Sequence, residues 1–225
     1  PESESVELLA NKNTLFQIAQ EEGLPIPTTL YFDTPEEGIA SLQSINDFPV
    51  VLKPSKSQIL EHDRIIPTKV IIAQSRENAI DALKTNEFFR FPFTIQSFVD
   101  GAGQGIFALF DKGAPVCYFS HRRLREKPPA GGVSGLCESA PVNDSLRSVA
   151  ERLLRRANWH GVAMVEFRVT EDGTGFLMEV NPRFWGSLQL AIDSGIDFPW
   201  LLYLVSNGQR IPETTWQYRR MRWLL

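Results

Sequence analysis

The chain has only two cysteines, Cys117 and Cys137, and neither lies in a CxxC or Cys/His spacing. That argues against a disulfide framework or a structural zinc site, makes a reducing cytoplasm the default compartment, and leaves both thiols as small buried hydrophobes. There is no run of roughly 18 apolar residues that could span a bilayer, and no charged-then-apolar leader, so a soluble protein without a membrane partner is expected. A long basic run is also missing and the net charge is −4, which argues against nucleic acid as the main partner. No Ser-His-Asp or Cys-His arrangement supplies a side-chain nucleophile. The opening Pro1, without methionine, is what a fragment or a processed chain would show.

What is present is 225 residues at 43% hydrophobic, enough for one large domain or two small ones. Apolar side chains at Val6, Leu9, Leu15, Ile18 and Ala19 have helical spacing and stop at Gly23. Thr34-Pro35-Glu36-Glu37 reads as an N-cap, a proline at the first helical position and first-turn carboxylates. Phe48 to Leu52 is a short buried strand that delivers Lys53 at its end. Residues 54 to 67 read as polar and irregular. A strand, a helix and the strand Phe93–Val99 follow, and Asp100-Gly101-Ala102-Gly103-Gln104-Gly105 reads as a flexible turn. Next come a hairpin, the basic run His121-Arg122-Arg123-Leu124-Arg125, and the Pro/Gly-rich stretch Pro128–Gly135, suited to closing over a ligand. The alternation predicts an α+β fold with a small lobe at 1–93, a larger one at 94–225, and a cleft near their junction.

The most informative segment is Val162–Val169, Thr170–Thr174 and Gly175–Val180. Asp172-Gly173 suits the centre of a two-residue hairpin turn. Counting outward from it, with Glu171 facing Thr174, puts Glu166 directly opposite Glu179, with Asn181 on the same face. The other face then carries Ala163, Val165, Phe167, Met178 and Val180. Like charges directly opposite destabilise a sheet, so this pair calls for a cation, a shared proton or a basic partner. Oxygen ligands alone suit magnesium better than zinc or copper. An exposed hairpin with its glutamates in water, or a structural calcium site, are the alternatives. Glu179-Val180-Asn181-Pro182-Arg183 adds a guanidinium that can grip a phosphate or carboxylate with two parallel hydrogen bonds, or pair with a neighbouring glutamate.

On these residues the sequence resembles the ATP-grasp superfamily. Met164-Val165-Glu166-Phe167 and Met178-Glu179-Val180-Asn181-Pro182-Arg183 match its paired metal-binding strands. The stretch Asn181 to Ser187 resembles a branch near carbamoyl-phosphate synthetase and the carboxylate–amine ligases, rather than biotin carboxylase itself. Other landmarks fall in order over about residues 8 to 208. Asn11-Lys12 resembles the first phosphate-contacting lysine, and Val50-Val51-Leu52-Lys53-Pro54 the second. Gln96-Ser97-Phe98-Val99 resembles the hinge whose backbone holds adenine.

The resemblance implies two α+β lobes with ATP bound in the cleft between them. It implies nucleotide contacts at Lys12, Lys53, Gln96, Ser97, Phe98 and Val99, and Mg2+ (or Mn2+) on Glu166, Glu179 and Asn181. Lys53 and Arg183 would take catalytic roles. The implied reaction is ATP-dependent activation of a small-molecule carboxylate for attack by an amine, in a protein that a homodimer would suit; a non-catalytic nucleotide-binding module is the alternative. The departures are three. No glycine lies between Ser55 and Pro67, where the family's phosphate-covering loop is glycine-rich. Ser97 replaces the hinge glutamate. A preceding N-terminal α/β domain is expected to be absent.

Overall fold

The computed structural model describes residues 1–127 and 133–222. The chain forms two compact units, Asn11–Val99 and Pro1–Ala10 together with Asp100–Leu225. Helix α1 (Ser3–Ala10) therefore groups with the C-terminal residues. The single helical stretch expected over 6–22 is broken at Asn11, whose side chain accepts from the Asn13 amide and caps α2 (Lys12–Glu21).

The Asn11–Val99 unit continues with β1 (Thr29–Phe32), α3 (Pro35–Ser41), β2 (Val50–Pro54), β3 (Gln58–Glu61), β4 (Arg64–Pro67), β5 (Ile71–Ala73), α4 (Arg76–Thr85) and β6 (Phe93–Ser97). Thr34 caps α3 by accepting from Glu37 N, with Pro35 in its first turn, and Ser75 caps α4. The four-stranded sheet has the order β1-β6-β2-β5, all antiparallel. Because β6 sits between β1 and β2, the compact units part after Val99 rather than at 93/94. Val50, Leu52, Phe93 and Ile95 face one way, into a core with Ala79 and Leu83 of α4. Lys53, opposite Thr94, faces the other way.

The segment read as irregular is a β3–β4 hairpin, turning at His62-Asp63 with His62 at φ +53°. Ile59 and Ile66 are buried on one face, while Leu60 and Ile65 remain 74% and 61% exposed on the other. The polar turn and missing glycine hid a regular two-sided pair.

In the second unit, β7 (Ala102–Asp111), β8 (Ala114–Lys127), β9 (Val133–Ala140), β10 (Gly161–Val169), β11 (Gly175–Asn181) and β12 (Arg220–Arg222) form one sheet of order β11-β10-β7-β8-β9-β12. Helix α5 (Asp144–Arg156) puts Leu146, Ala150, Leu153 and Leu154 into the interior. Helices α6 (Leu188–Asp193) and α7 (Phe198–Ser206) join Phe107, Phe119, Met164 and Trp185 in an apolar cluster. Of the ligand-closing stretch expected at Pro128–Gly135, residues 128–132 lie outside the described residues, and the remainder opens β9. Among the described residues no helix is long and apolar enough to cross a membrane.

Candidate functional site

One row crosses the large sheet: Glu179 pairs with Glu166, Glu166 with Gly105, Gly105 with His121, and His121 with Ser139. Residues directly opposite in antiparallel strands project to the same side, so this row places both glutamates and the histidine on one face. Along β10 that face reads Val162, Met164, Glu166, Arg168. It runs from the apolar cluster to charge within four positions.

The Glu166–Glu179 pairing arises differently from the expected count. Val169 pairs with Gly175 rather than Phe176 because the turn holds three residues, Glu171 to Gly173, instead of two, and a bulge at Met178 restores the offset before Glu166 meets Glu179. Thr170, not Glu171, stands across from Thr174, and Asp172 Oδ1 accepts from Thr170 Oγ1 at 2.6 Å and Thr174 N at 3.0 Å. Leu177 is fully buried in place of Met178, which is half-buried. The bulge lets Leu177 enter the core while Glu179 and Asn181 still share the Glu166 face.

The carboxylates are bridged by the Asn181 amide. Its Nδ2 donates to Glu166 Oε1 at 3.1 Å and Glu179 Oε1 at 2.9 Å. Asn181 Oδ1 accepts from Arg183 at 3.1 Å, and Arg183 also donates to the Phe184 carbonyl at 2.9 Å. On the far side the Arg123 guanidinium donates to Glu166 Oε2. Burial, then the facing Glu179 charge, push the Glu166 carboxyl above the usual carboxylate range, against the pull of Arg123.

Arg123 also reaches Glu126 at 3.4 Å, and Glu126 is held by Arg168 at 2.8 Å. Arg168 donates in turn to the Gly101 carbonyl at 2.8 Å. The expected basic cluster is therefore divided. Arg122 pairs outward with Glu138 and Arg123 pairs inward, while His121 is buried, edge-on to Phe107 and 3.2 Å from Ser187 Oγ. Burial, aided by Arg123, pulls the His121 pKa down to about 3, so it is neutral at pH 7.

The glycines of Asp100–Gly105 do not form a flexible turn: β7 begins at Ala102. A Cβ on Gly103 would lie 2.6 Å from Glu126 Oε1 and 3.1 Å from Arg123 Cδ, and one on Gly105 would lie 2.9 Å from the Phe107 ring. The strand lacks side chains there because the ionic side chains lie across it. Arg123, Glu126 and Arg168 as a network escaped the sequence reading. The available signal was the two-residue spacing of Glu166 to Arg168 and of Gly103 to Gly105.

In the other unit, Lys12 begins α2 and its backbone N donates to Ser55 O at 3.1 Å, tying it to the segment after Lys53. Both lysine residues are buried, and Lys53 Nζ lies 5.6 Å from the Phe16 ring centroid. Gln96 is buried next to Thr29, donating to its hydroxyl at 2.8 Å, while its Oε1 has no partner among the described residues. Ser97 is exposed and accepts from Thr28 N at 3.1 Å, and Phe98 and Val99 are half-buried.

Among the described residues no three His, Cys, Asp or Glu side chains cluster as a metal site. Two carboxylates and an amide are a sparse donor set. It fits a hard cation that completes its shell with water and phosphate, with Asn181 turning its amide oxygen inward.

A lysine-bearing antiparallel sheet in one unit, and in the other a sheet ending in opposed glutamates, an asparagine and an arginine, are the parts of an ATP-grasp fold. Residues 112–223 match the family described as ATP-grasp in the biosynthetic pathway with Ter operon, and the chain has the ATP-grasp fold. Among solved structures it is similar to N5-carboxyaminoimidazole ribonucleotide synthetase from Thermus thermophilus (18% identity, 99% of this chain and 59% of that one, TM-score 0.75). It is also similar to L-amino acid ligase from Bacillus licheniformis (22% identity, 90% and 49%, TM-score 0.67). A third is the biotin carboxylase domain of Hydrogenobacter thermophilus 2-oxoglutarate carboxylase, a dimer in complex with MgADP, ADP and bicarbonate (16% identity, 92% and 47%, TM-score 0.71). The chain thus spans about half to three-fifths of the length of these proteins. No curated protein matches the sequence.

Proposed function

We propose that this chain is the nucleotide- and metal-binding core of an ATP- and Mg2+-dependent ligase that activates a carboxylate as an acyl phosphate for attack by an amine. The observation that carries the reading is the Glu166–Glu179 pair bridged by Asn181, with Arg183 on the same strand end. Sheets avoid opposed carboxylates unless something positive is to stand between them.

Glu166, Glu179 and Asn181 would hold Mg2+, which when bound offsets negative charge on the ATP phosphates. Lys12 and Lys53 bind phosphate oxygens. The Gln96–Val99 segment holds adenine, and the orphaned Gln96 Oε1 supports this as an acceptor awaiting a donor. Arg183 stabilises charge on the transferred group. The substrate carboxylate oxygen attacks the γ-phosphorus as its bond to the bridging oxygen of ADP breaks. An amine then attacks the acyl carbon, and phosphate departs with the former carboxylate oxygen.

The test is a screen for ADP release by the full-length protein against panels of carboxylates and amines, with hydroxylamine as trap. Acid-dependent ATP consumption should give a hydroxamate, and 18O from the acid should pass to phosphate. Nucleotide binding without turnover of any acid would favour a nucleotide-binding module; acid-dependent ATP consumption that leaves 18O on the acid would mean another reaction.

A further inference from the structure

Taking the Glu166–Glu179 pair as the metal site proposed above, we propose that Arg123 is its resident counter-cation, excluding free divalent metal and releasing Glu166 when metal arrives with a polyphosphate. The Arg123 and Glu166 side chains are 12% and 17% exposed, so their contact is largely removed from water. Arg123 is held from behind by Glu126, whose carboxylate is 8% exposed and fixed by Arg168. The series Glu166–Arg123–Glu126–Arg168 thus alternates in charge across the sheet, over the side-chain-free backbone of Gly103.

Glu166 is already matched by Arg123, and Glu126 by Arg123 and Arg168. A divalent ion entering alone must therefore take Glu166 from the largely buried Arg123 guanidinium. A buried guanidinium stripped of a partner is costly. Polyphosphate reverses the balance, because its oxygens accept what Arg123 gives up, and guanidinium grips phosphate as readily as carboxylate. Arg123 thereby acts as a positioning residue that makes metal binding conditional on nucleotide.

Mn2+ binding, read from the free-ion EPR signal with and without a non-hydrolysable ATP analogue, tests this. The intact protein should bind Mn2+ weakly alone and at least tenfold more tightly with the analogue. Arg123→Gln should bind nucleotide-free Mn2+ about tenfold more tightly than wild type, which a merely structural arginine would not produce. Arg123→Lys, a milder change if the glutamine variant does not fold, should tighten it severalfold. Unchanged nucleotide-free affinity in a folded Arg123 variant overturns the proposal, provided Mn2+–nucleotide binding persists in wild type and is lost in Glu179→Gln. Absence of Mn2+–nucleotide binding in wild type, or its survival in Glu179→Gln, overturns the metal-site reading on which the proposal rests.

Discussion

Gly101, Gly103 and Gly105 show how a residue type can be read correctly and its purpose missed. Glycine signals either backbone freedom or close approach, and composition does not separate the two. Here the second applies. A Cβ at Gly101 would meet the Val169 carbonyl oxygen at 2.6 Å, and those at Gly103 and Gly105 would meet Glu126 and the Phe107 ring. In a flexible turn, Gly→Ala would be neutral or stabilise by about 0.4–1 kcal/mol through the unfolded chain. We expect all three alanine variants to lose stability instead, by about 1–3 kcal/mol. Gly101→Ala should be the worst, because its obstacle is backbone beside the Ala102–Val169 pair and cannot rotate away. Urea melts of the three variants check both sign and order; a neutral Gly101→Ala would return the segment to a turn. Glu166, Glu179, Asn181 and Arg183 were legible as a group because strand alternation and turn chemistry are local. The partners of Glu166 on β8 were not, since no local rule says which strand lies two places across the sheet.

At the scale of elements, the β10–β11 hairpin reached the expected Glu166–Glu179 pairing through two deviations that cancel. The turn holds three residues instead of two, and Met178 bulges out. Turn residues narrow the register without fixing it, and a bulge inside three consecutive apolar residues, Phe176-Leu177-Met178, leaves no mark in the hydrophobic pattern. The two registers differ in which side chain is buried. The plain hairpin buries Met178; the bulged one buries Leu177 completely and leaves Met178 half-exposed to its surroundings. Leu177→Ala should therefore cost about 2–5 kcal/mol as a core cavity and Met178→Ala under about 1.5 kcal/mol. Equilibrium denaturation of the pair decides, and the reverse order would mean that the bulge is elsewhere. The helical stretch over 6–22 failed for a similar reason. Its apolar spacing persists through Asn11, but the Asn11 side chain takes the Asn13 amide and starts a new helix.

At the scale of the whole molecule, the α+β class and the order of landmarks were legible, because each landmark is a short strand or helix end with a distinctive side chain. The extent of the compact units was not. It depends on β6 being central in its sheet and on α1 joining the C-terminal residues, both long-range outcomes. Each unit carries part of the proposed machinery: buried Lys12, Lys53 and Gln96 in one, Glu166, Glu179, Asn181 and Arg183 in the other. Mass action then gives a test that needs no substrate. A ligand bound only by the folded chain at 100 times its Kd adds about 2.7 kcal/mol. For a chain of this size each kcal/mol moves Tm by roughly 2–4 °C, so Mg-ATP should raise Tm by roughly 5–10 °C. Mg2+ alone should do little, because it meets Glu166 already paired with Arg123 and lacks the phosphates that complete its shell. Glu179→Gln relieves the repulsion with Glu166, so its unliganded Tm should be equal or slightly higher, while the Mg-ATP shift should largely disappear. Differential scanning calorimetry of both proteins, each with Mg2+, with ATP and with both, separates these effects. Stabilisation of wild type by Mg2+ alone as large as that by Mg-ATP would contradict the shared metal–phosphate site. An undiminished Mg-ATP shift in Glu179→Gln would remove that glutamate from it.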